Sequence, residues 1–148
     1  MRMVLEPSLD PMTYHYDHHI RVRFAETDAM GIVHHAAYLP YFEEARVAFL
    51  RAIDHPYPSV RAEGLEFTVL EAFARYVQPL RFDDVVRVHV GVGAVTRATF
   101  QLAYLLTVDG EVRATGVTVH GCVTTTGHAA RLPAWLPEVA QLYGGGKE

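Results

Sequence analysis

The sequence predicts an α+β domain in which one long apolar helix lies on an antiparallel sheet. Three observations lead there. Tyr38 to Asp54 repeats apolar residues at three- and four-residue intervals, the period of a helix with a buried face. From Leu65 to Pro133 the chain reads as successive strands, with clean two-residue alternation at Val86, Val88, Val90 and Val92. Asp109-Gly110 separates the last two of these runs, a strong signal for a two-residue hairpin turn. With 148 residues, half of them hydrophobic and a fifth charged, the chain has the size and apolar content of one domain with a real core. Global disorder and a two-domain enzyme of ordinary size are excluded.

Each element follows in order. Residues 1–18 read as a flexible, solvated leader carrying Pro7 and Pro11, with no basic stretch followed by an apolar run of signal-peptide length. His15, His18 and His19 cluster there without a second ligand group, so no metal site is expected. Ile20 to Phe24 alternates apolar and basic residues, a short half-buried strand, and Glu26 to Gly31 is a polar loop ending in glycine. In the helix, Pro40 suits the first turn, where a missing N–H costs nothing. Its apolar arc is wide enough for the helix to be wrapped by other structure. Strands are expected at Phe67–Gln78, Val85–Val95, Thr99–Val108 and Glu111–Thr124, joined by hairpin-type links in sequence order. Pro79 and Asp83-Asp84 interrupt the first link, and Arg97-Ala98 makes the second. Leu132 to Leu142 supplies a closing helix, and residues 143–148, with three glycines, a disordered tail.

Net charge is −4 with histidines neutral, which gives no pull toward nucleic acid or an anionic membrane. No segment approaches the ~20 apolar residues of a membrane-spanning helix. The lone Cys122 excludes an intrachain disulfide and suits a reducing cytoplasm.

The loop before the helix holds the chemistry. It places an acid, Asp28, and a backbone-permissive glycine, Gly31, within a dozen residues of a helix start. Unpaired N–H groups and partial positive charge at a helix N-terminus suit a developing oxyanion, and a carboxylate beside them can attack a carbonyl or activate water. The competing reading is that Asp28 only bonds loop amides in a turn.

Thr27 to Arg46, TDAMGIVHHAAYLPYFEEAR, resembles the signature of the 4-hydroxybenzoyl-CoA thioesterase-like hot-dog acyl-CoA thioesterases. The likeness continues through Tyr76-Val77-Gln78-Pro79-Leu80-Arg81-Phe82-Asp83-Asp84 and Arg97-Ala98-Thr99-Phe100, and ends near Arg131-Leu132-Pro133. It implies a hot-dog domain over residues 19–142, a curved antiparallel sheet wrapped around one central helix. It further implies hydrolysis of an acyl-CoA or acyl-carrier thioester to an acid and a thiol, with coenzyme A as part of the substrate and no separate cofactor. The family's catalytic aspartate falls on Asp28 and its oxyanion donor on the backbone N–H at or near His35. One departure is Ala37, where the family commonly has Asn before the tyrosine.

Further candidates rest on residue type. His34 is placed to orient water or substrate, and Tyr38, Phe42, Phe67 and Tyr76 to line an acyl pocket. Arg97, at a strand connection, leads Arg87, Arg113 and Arg131 as a partner for coenzyme A phosphates. Two other functions compete with hydrolysis: a hot-dog dehydratase using His34 or His35 with Glu44, and a non-catalytic acyl-CoA or acyl-carrier binding protein. A lone helix on one sheet leaves an exposed strand edge, so a homo-oligomer is expected. The resemblance implies a tetramer built as a dimer of dimers.

Overall fold

The computed structural model describes residues 6–145. Five strands form one antiparallel sheet: β1 (Tyr16–Arg21), β2 (Leu65–Tyr76), β3 (Val85–Val95), β4 (Phe100–Val108) and β5 (Glu111–Thr124). Three helices accompany it: α1 (Tyr38–Ala52), α2 (Tyr57–Ala62) and α3 (Leu136–Leu142). Among the described residues, no helix is long and apolar enough to cross a membrane.

The strand order is β1-β3-β4-β5-β2. The expected hairpin between β2 and β3 is therefore not formed. β2 pairs with β5, while β3 pairs with β1, and residues 77–84 cross the end of the sheet to join them. Periodicity reports which face of a strand is buried but not which strand lies beside it. Eight connecting residues suffice to span three inter-strand spacings, about 14 Å. The other two hairpins stand as expected. Asp109 and Gly110 both take positive φ, 49° and 79°, as a type I′ turn demands. Between β3 and β4, Thr96 N–H donates to Thr99 O at 2.8 Å, enclosing Arg97-Ala98.

The core lies between α1 and one sheet face. Tyr38, Tyr41, Phe42, Ala45 and Phe49 of the helix are buried against Val86, Val88 and Val90, and against Leu102, Tyr104 and Leu106. Phe42 stacks on Tyr104 at 4.6 Å, and a Cβ at Gly116 would collide with its ring. Glycine there sets how closely helix and sheet approach.

Several sequence boundaries move, among them β2, which runs Leu65–Tyr76 rather than Phe67–Gln78, and the closing helix, which starts at Leu136 rather than Leu132. The first strand runs Tyr16–Arg21 rather than Ile20–Phe24, and Phe24–Glu26 forms a 3-10 turn instead. The described part of the expected leader is packed. Tyr14 is buried on Ala103 and Leu105 of the outer sheet face, and its hydroxyl donates to Ser8 O at 2.8 Å. The folded unit thus begins before residue 19, because Tyr14 supplies apolar cover that β4 needs. Likewise Tyr143 belongs to the fold, its carbonyl accepting from Val92 N–H and its ring meeting Phe49. Residues 1–5 of the leader and 146–148 of the tail lie outside the described residues. Helix α2, absent from the sequence reading, starts after Pro56 with Pro58 in its first turn.

Candidate active site

Two loops meet at one end of the sheet. Residues 22–37 lead from β1 into α1, and residues 77–84 lead from β2 into β3. Val22 N–H donates to Asp84 O at 2.9 Å, Val33 N–H donates to Leu80 O at 2.8 Å, and Ile32 bridges Arg81. Arg113 reinforces the second loop by donating to Pro79 O at 2.6 Å.

Within the first loop, Asp28 Oδ1 accepts from Met30 N–H at 2.8 Å, and Gly31 N–H closes the turn onto Asp28 O with φ of +78°. The turn role considered for Asp28 is real, yet it occupies one oxygen. Its Oδ2 has no hydrogen bond among the described residues. The loop is also tied to α1. Glu26 Oε1 accepts from Arg23 N–H and from the Tyr41 hydroxyl, both at 2.8 Å, while Glu26 O accepts from His34 N–H. Burial pushes the Glu26 carboxyl upward, but these bonds and the Arg23 guanidinium outweigh it and hold the carboxyl below its usual range. Burial, and then the same contact with Glu26, push the Tyr41 hydroxyl far up.

A 3-10 turn, His35–Ala37, carries the chain into α1. The His34 ring caps it, with Nδ1 accepting from Ala36 N–H at 3.0 Å, so the neutral ring carries its proton on Nε2. Ala37 N–H donates to His34 O, and Tyr38 N–H to His35 O. The His35 N–H is left without an acceptor among the described residues. It borders an open cleft of about 310 Å³ whose walls include Asp28, His35, Tyr38, Tyr76 and Gln78. Tyr38 and Tyr76 meet edge to face at 4.8 Å across it. Asp28, with one carboxylate oxygen unused, and His35, with its N–H unused, thus line one open cleft.

A family model described as the thioesterase-like superfamily matches residues 22–141. The chain belongs to that superfamily. A putative esterase of Aquifex aeolicus is 42% identical over 119 residues, covering 80% of this chain and 92% of that protein. A 1,4-dihydroxy-2-naphthoyl-CoA hydrolase of Thermosynechococcus vestitus is 33% identical over 128 residues, covering 81% and 87%. The structure of a gentisyl-coenzyme A thioesterase superposes with a TM-score of 0.77 at 25% identity, over 82% of this chain and 99% of that one. This thioesterase-like chain has the hot-dog architecture, a curved five-stranded antiparallel sheet with a long helix against it, and it is an enzyme of the thioester-hydrolase type.

The thioesterase fold gathers some of the candidates and separates others. Asp28, His35, Tyr38 and Tyr76 line the cleft; Gly31 and His34 shape the turns beside it. Phe42 is fully buried on Tyr104, and Phe67 packs on Phe100 at 5.1 Å, so neither faces the cleft. The geometry needed for a His–Glu44 dehydratase pair is not assembled: Glu44 bonds His18 of β1 at 2.7 Å. Arg87 and Arg113 are engaged with Asp17 and with Asp84 and Glu111. Arg97 is exposed at the β3–β4 turn, the whole length of β3 away from the Asp28 end, about 33 Å at 3.3 Å per residue. Sequence reading passed over Glu26 and Gln78. For Glu26 the signal was present, an acid two residues before Asp28 in the same loop.

Proposed function

We propose that this enzyme hydrolyses an acyl-CoA or acyl-carrier thioester to a carboxylic acid and a thiol in the cytoplasm, with Asp28 and the His35 N–H as its reacting groups. What supports the reading is their presence on one open cleft, each with an unused hydrogen-bonding valence. The substrate carbonyl oxygen points at the His35 N–H, which stabilises negative charge as the tetrahedral intermediate forms. Asp28 Oδ2 either attacks the carbonyl carbon, giving a mixed anhydride that water then cleaves, or takes a proton from an attacking water. The thiolate leaves without a strong general acid because thiols are far more acidic than alcohols. Water is the second substrate, and no metal or cofactor enters the step.

The remaining parts of the site come from a second copy. β2 is an unpaired edge with Val69, Phe73 and Tyr76 exposed, and antiparallel pairing of two such edges extends the sheet across both chains. That pairing sets the Leu65 end of the partner's β2 against the Tyr76 end of this one. The partner's β3–β4 turn then faces the same end of the joint sheet as Asp28, and Arg97 binds coenzyme A phosphate on the neighbouring chain's substrate. Two such dimers make the tetramer. Thiol release from a panel of short, long and aromatic acyl-CoAs tests the activity; a folded protein that releases no thiol from any of them refutes it.

A further inference from the structure

Asp28 and the His35 N–H are carried by different parts of the fold. Asp28 sits in a small hairpin, residues 26–34. Its rungs are His34 N–H to Glu26 O, the Thr27–Val33 bridge, and Asp28 N–H to Ile32 O, the first and last at 2.8 Å. The His35 N–H belongs to the 3-10 turn that opens α1. A carboxylate and an oxyanion donor work only when both are held in one geometry, and an ångström of misplacement costs about a hundredfold in rate. Whatever fastens the hairpin to the helix therefore bears on the chemistry.

On one side the hairpin is fixed by main chain, where Val33 N–H bonds Leu80 O and Ile32 bridges Arg81. On the side of α1 the attachment is a side chain. The Tyr41 hydroxyl donates to Glu26 Oε1 at 2.8 Å, and among the described residues this is the one hydrogen bond from residues 22–33 to α1. Both partners are enclosed: Tyr41 is 2% exposed and the Glu26 side chain 16%. Four donors converge on the carboxylate. Tyr41 O–H and Arg23 N–H reach Oε1, and Arg23 Nε and Nη2 reach Oε2 at 3.3 and 3.1 Å. An ionised carboxylate is acceptor-only, so it suits all four. Glu26 and Tyr41 are not among the walls of the Asp28 cleft, so they act on it through the hairpin.

We propose that Glu26 is a positioning residue for the hydrolysis: through Tyr41 it fixes the Asp28 hairpin against α1, and so fixes Asp28 relative to the His35 N–H. The inference rests on the thioester-hydrolase reading above. Without the tie, the main-chain bonds to residues 77–84 still hold one side of the hairpin, so it loosens without unfolding the domain. Asp28 then loses its aim at the carbonyl carbon while the residues that bind the substrate stay in place. The loss falls on kcat rather than on KM.

Turnover of octanoyl-CoA and benzoyl-CoA, measured per folded molecule, tests the assignment. Glu26→Ala is expected to lower kcat about thirtyfold with KM within about threefold. Glu26→Gln keeps an oxygen for the Tyr41 hydroxyl and should stay within about threefold of wild type. Tyr41→Phe should lose about tenfold, and the double variant should be no slower than Glu26→Ala alone, because both changes remove one tie. A merely structural role would lower the melting temperature and leave kcat per folded molecule and its rescue by Gln unmoved. Wild-type kcat in folded Glu26→Ala, or losses that multiply in the double variant, overturns the proposal. Amide hydrogen exchange separates it from the hydrolase reading. The Asp28 and His34 amides should exchange about tenfold faster in both single variants, with β4 unchanged. Faster exchange in a protein whose wild type cleaves no acyl-CoA refutes the hydrolase and keeps the tie; unchanged exchange refutes the tie whatever the turnover. If Glu26→Ala does not fold, Tyr41→Phe carries the test, and wild-type kcat in that variant overturns the proposal.

Discussion

The two edges of the sheet are unlike. β1 is six residues long and guarded: His18 pairs with Glu44, His19 with Asp17, and Arg21 with Asp83. β2 is twelve residues long and leaves Val69, Leu70, Phe73 and Tyr76 exposed. Charged side chains on a short edge discourage another strand from pairing there, whereas a long apolar edge invites one. β2 also carries ion pairs, Glu66 with Arg61 and Arg75 with Glu6, but they flank the exposed apolar run rather than replace it. The Asp28 cleft opens at the Tyr76 end of this edge. The contrast teaches that the cleft lies beside the edge that remains open to a further strand, which is why the proposed second copy would reach it.

The largest effect expected bears on the cleft itself. Asp28→Asn keeps the shape of the turn and an acceptor for Met30 N–H, but it can neither attack a carbonyl nor take a proton. Hydrolysis should fall by about a hundredfold or more in kcat with the melting temperature little changed. Near wild-type kcat in this variant would remove Asp28 from the mechanism.

Charge on one edge and then the other tests the asymmetry next. Val69→Lys should weaken the assembly and lower activity by about tenfold at micromolar protein, since like charges then meet across the pairing edge. His19→Lys on β1 should leave both mass and activity near wild type. Light scattering and hydrolysis on the same samples read both, and equal responses at the two edges would erase the distinction.

Arg97→Ala should raise KM several-fold with kcat nearly unchanged, the pattern of lost uniform binding. A pantetheine thioester lacking the nucleotide should not feel the mutation. Because Arg97 lies at the opposite end of its own sheet from Asp28, the effect should also vanish in a Val69→Lys monomer.

The smallest effect is a pH slope from the interior beside β2. His120 stays neutral in the folded chain down to about pH 3, whereas in the unfolded chain it protonates near its usual 6.5. Between those values the unfolded chain binds more protons, so stability falls as pH drops, by about 1 kcal/mol per pH unit from this group. Burial lowers His89 as well and adds to the slope in the same sense. Chemical denaturation of His120→Gln from pH 6.5 to 4 should show a shallower fall, and an unchanged slope would show that His120 is not the proton acceptor.

Much of this was legible in the chain. The apolar spacing from Tyr38 marked α1 because a helix buries side chains at a fixed angular interval, and Asp109-Gly110 marked its hairpin because few residues tolerate the required backbone. The segment around Asp28 carried its family resemblance in contiguous residues. Local rules reach that far.

What the tertiary structure decided depends on distant contacts. The place of β2 beside β5, the packing of Tyr14 on the outer face, and the burial of Phe42 away from the cleft follow from which surfaces meet, and periodicity is blind to that. Arg97 is a phosphate candidate by residue type and strand connection, and only the length of β3 shows that it stands at the opposite end of its own sheet from Asp28. Arg46 and Glu44 are both polar residues two positions apart on one helix. Only the fold gives Glu44 a histidine partner on β1 and sets Arg46 against the Tyr104 hydroxyl and Glu43, because a helix turns successive side chains about 100° apart toward different neighbours.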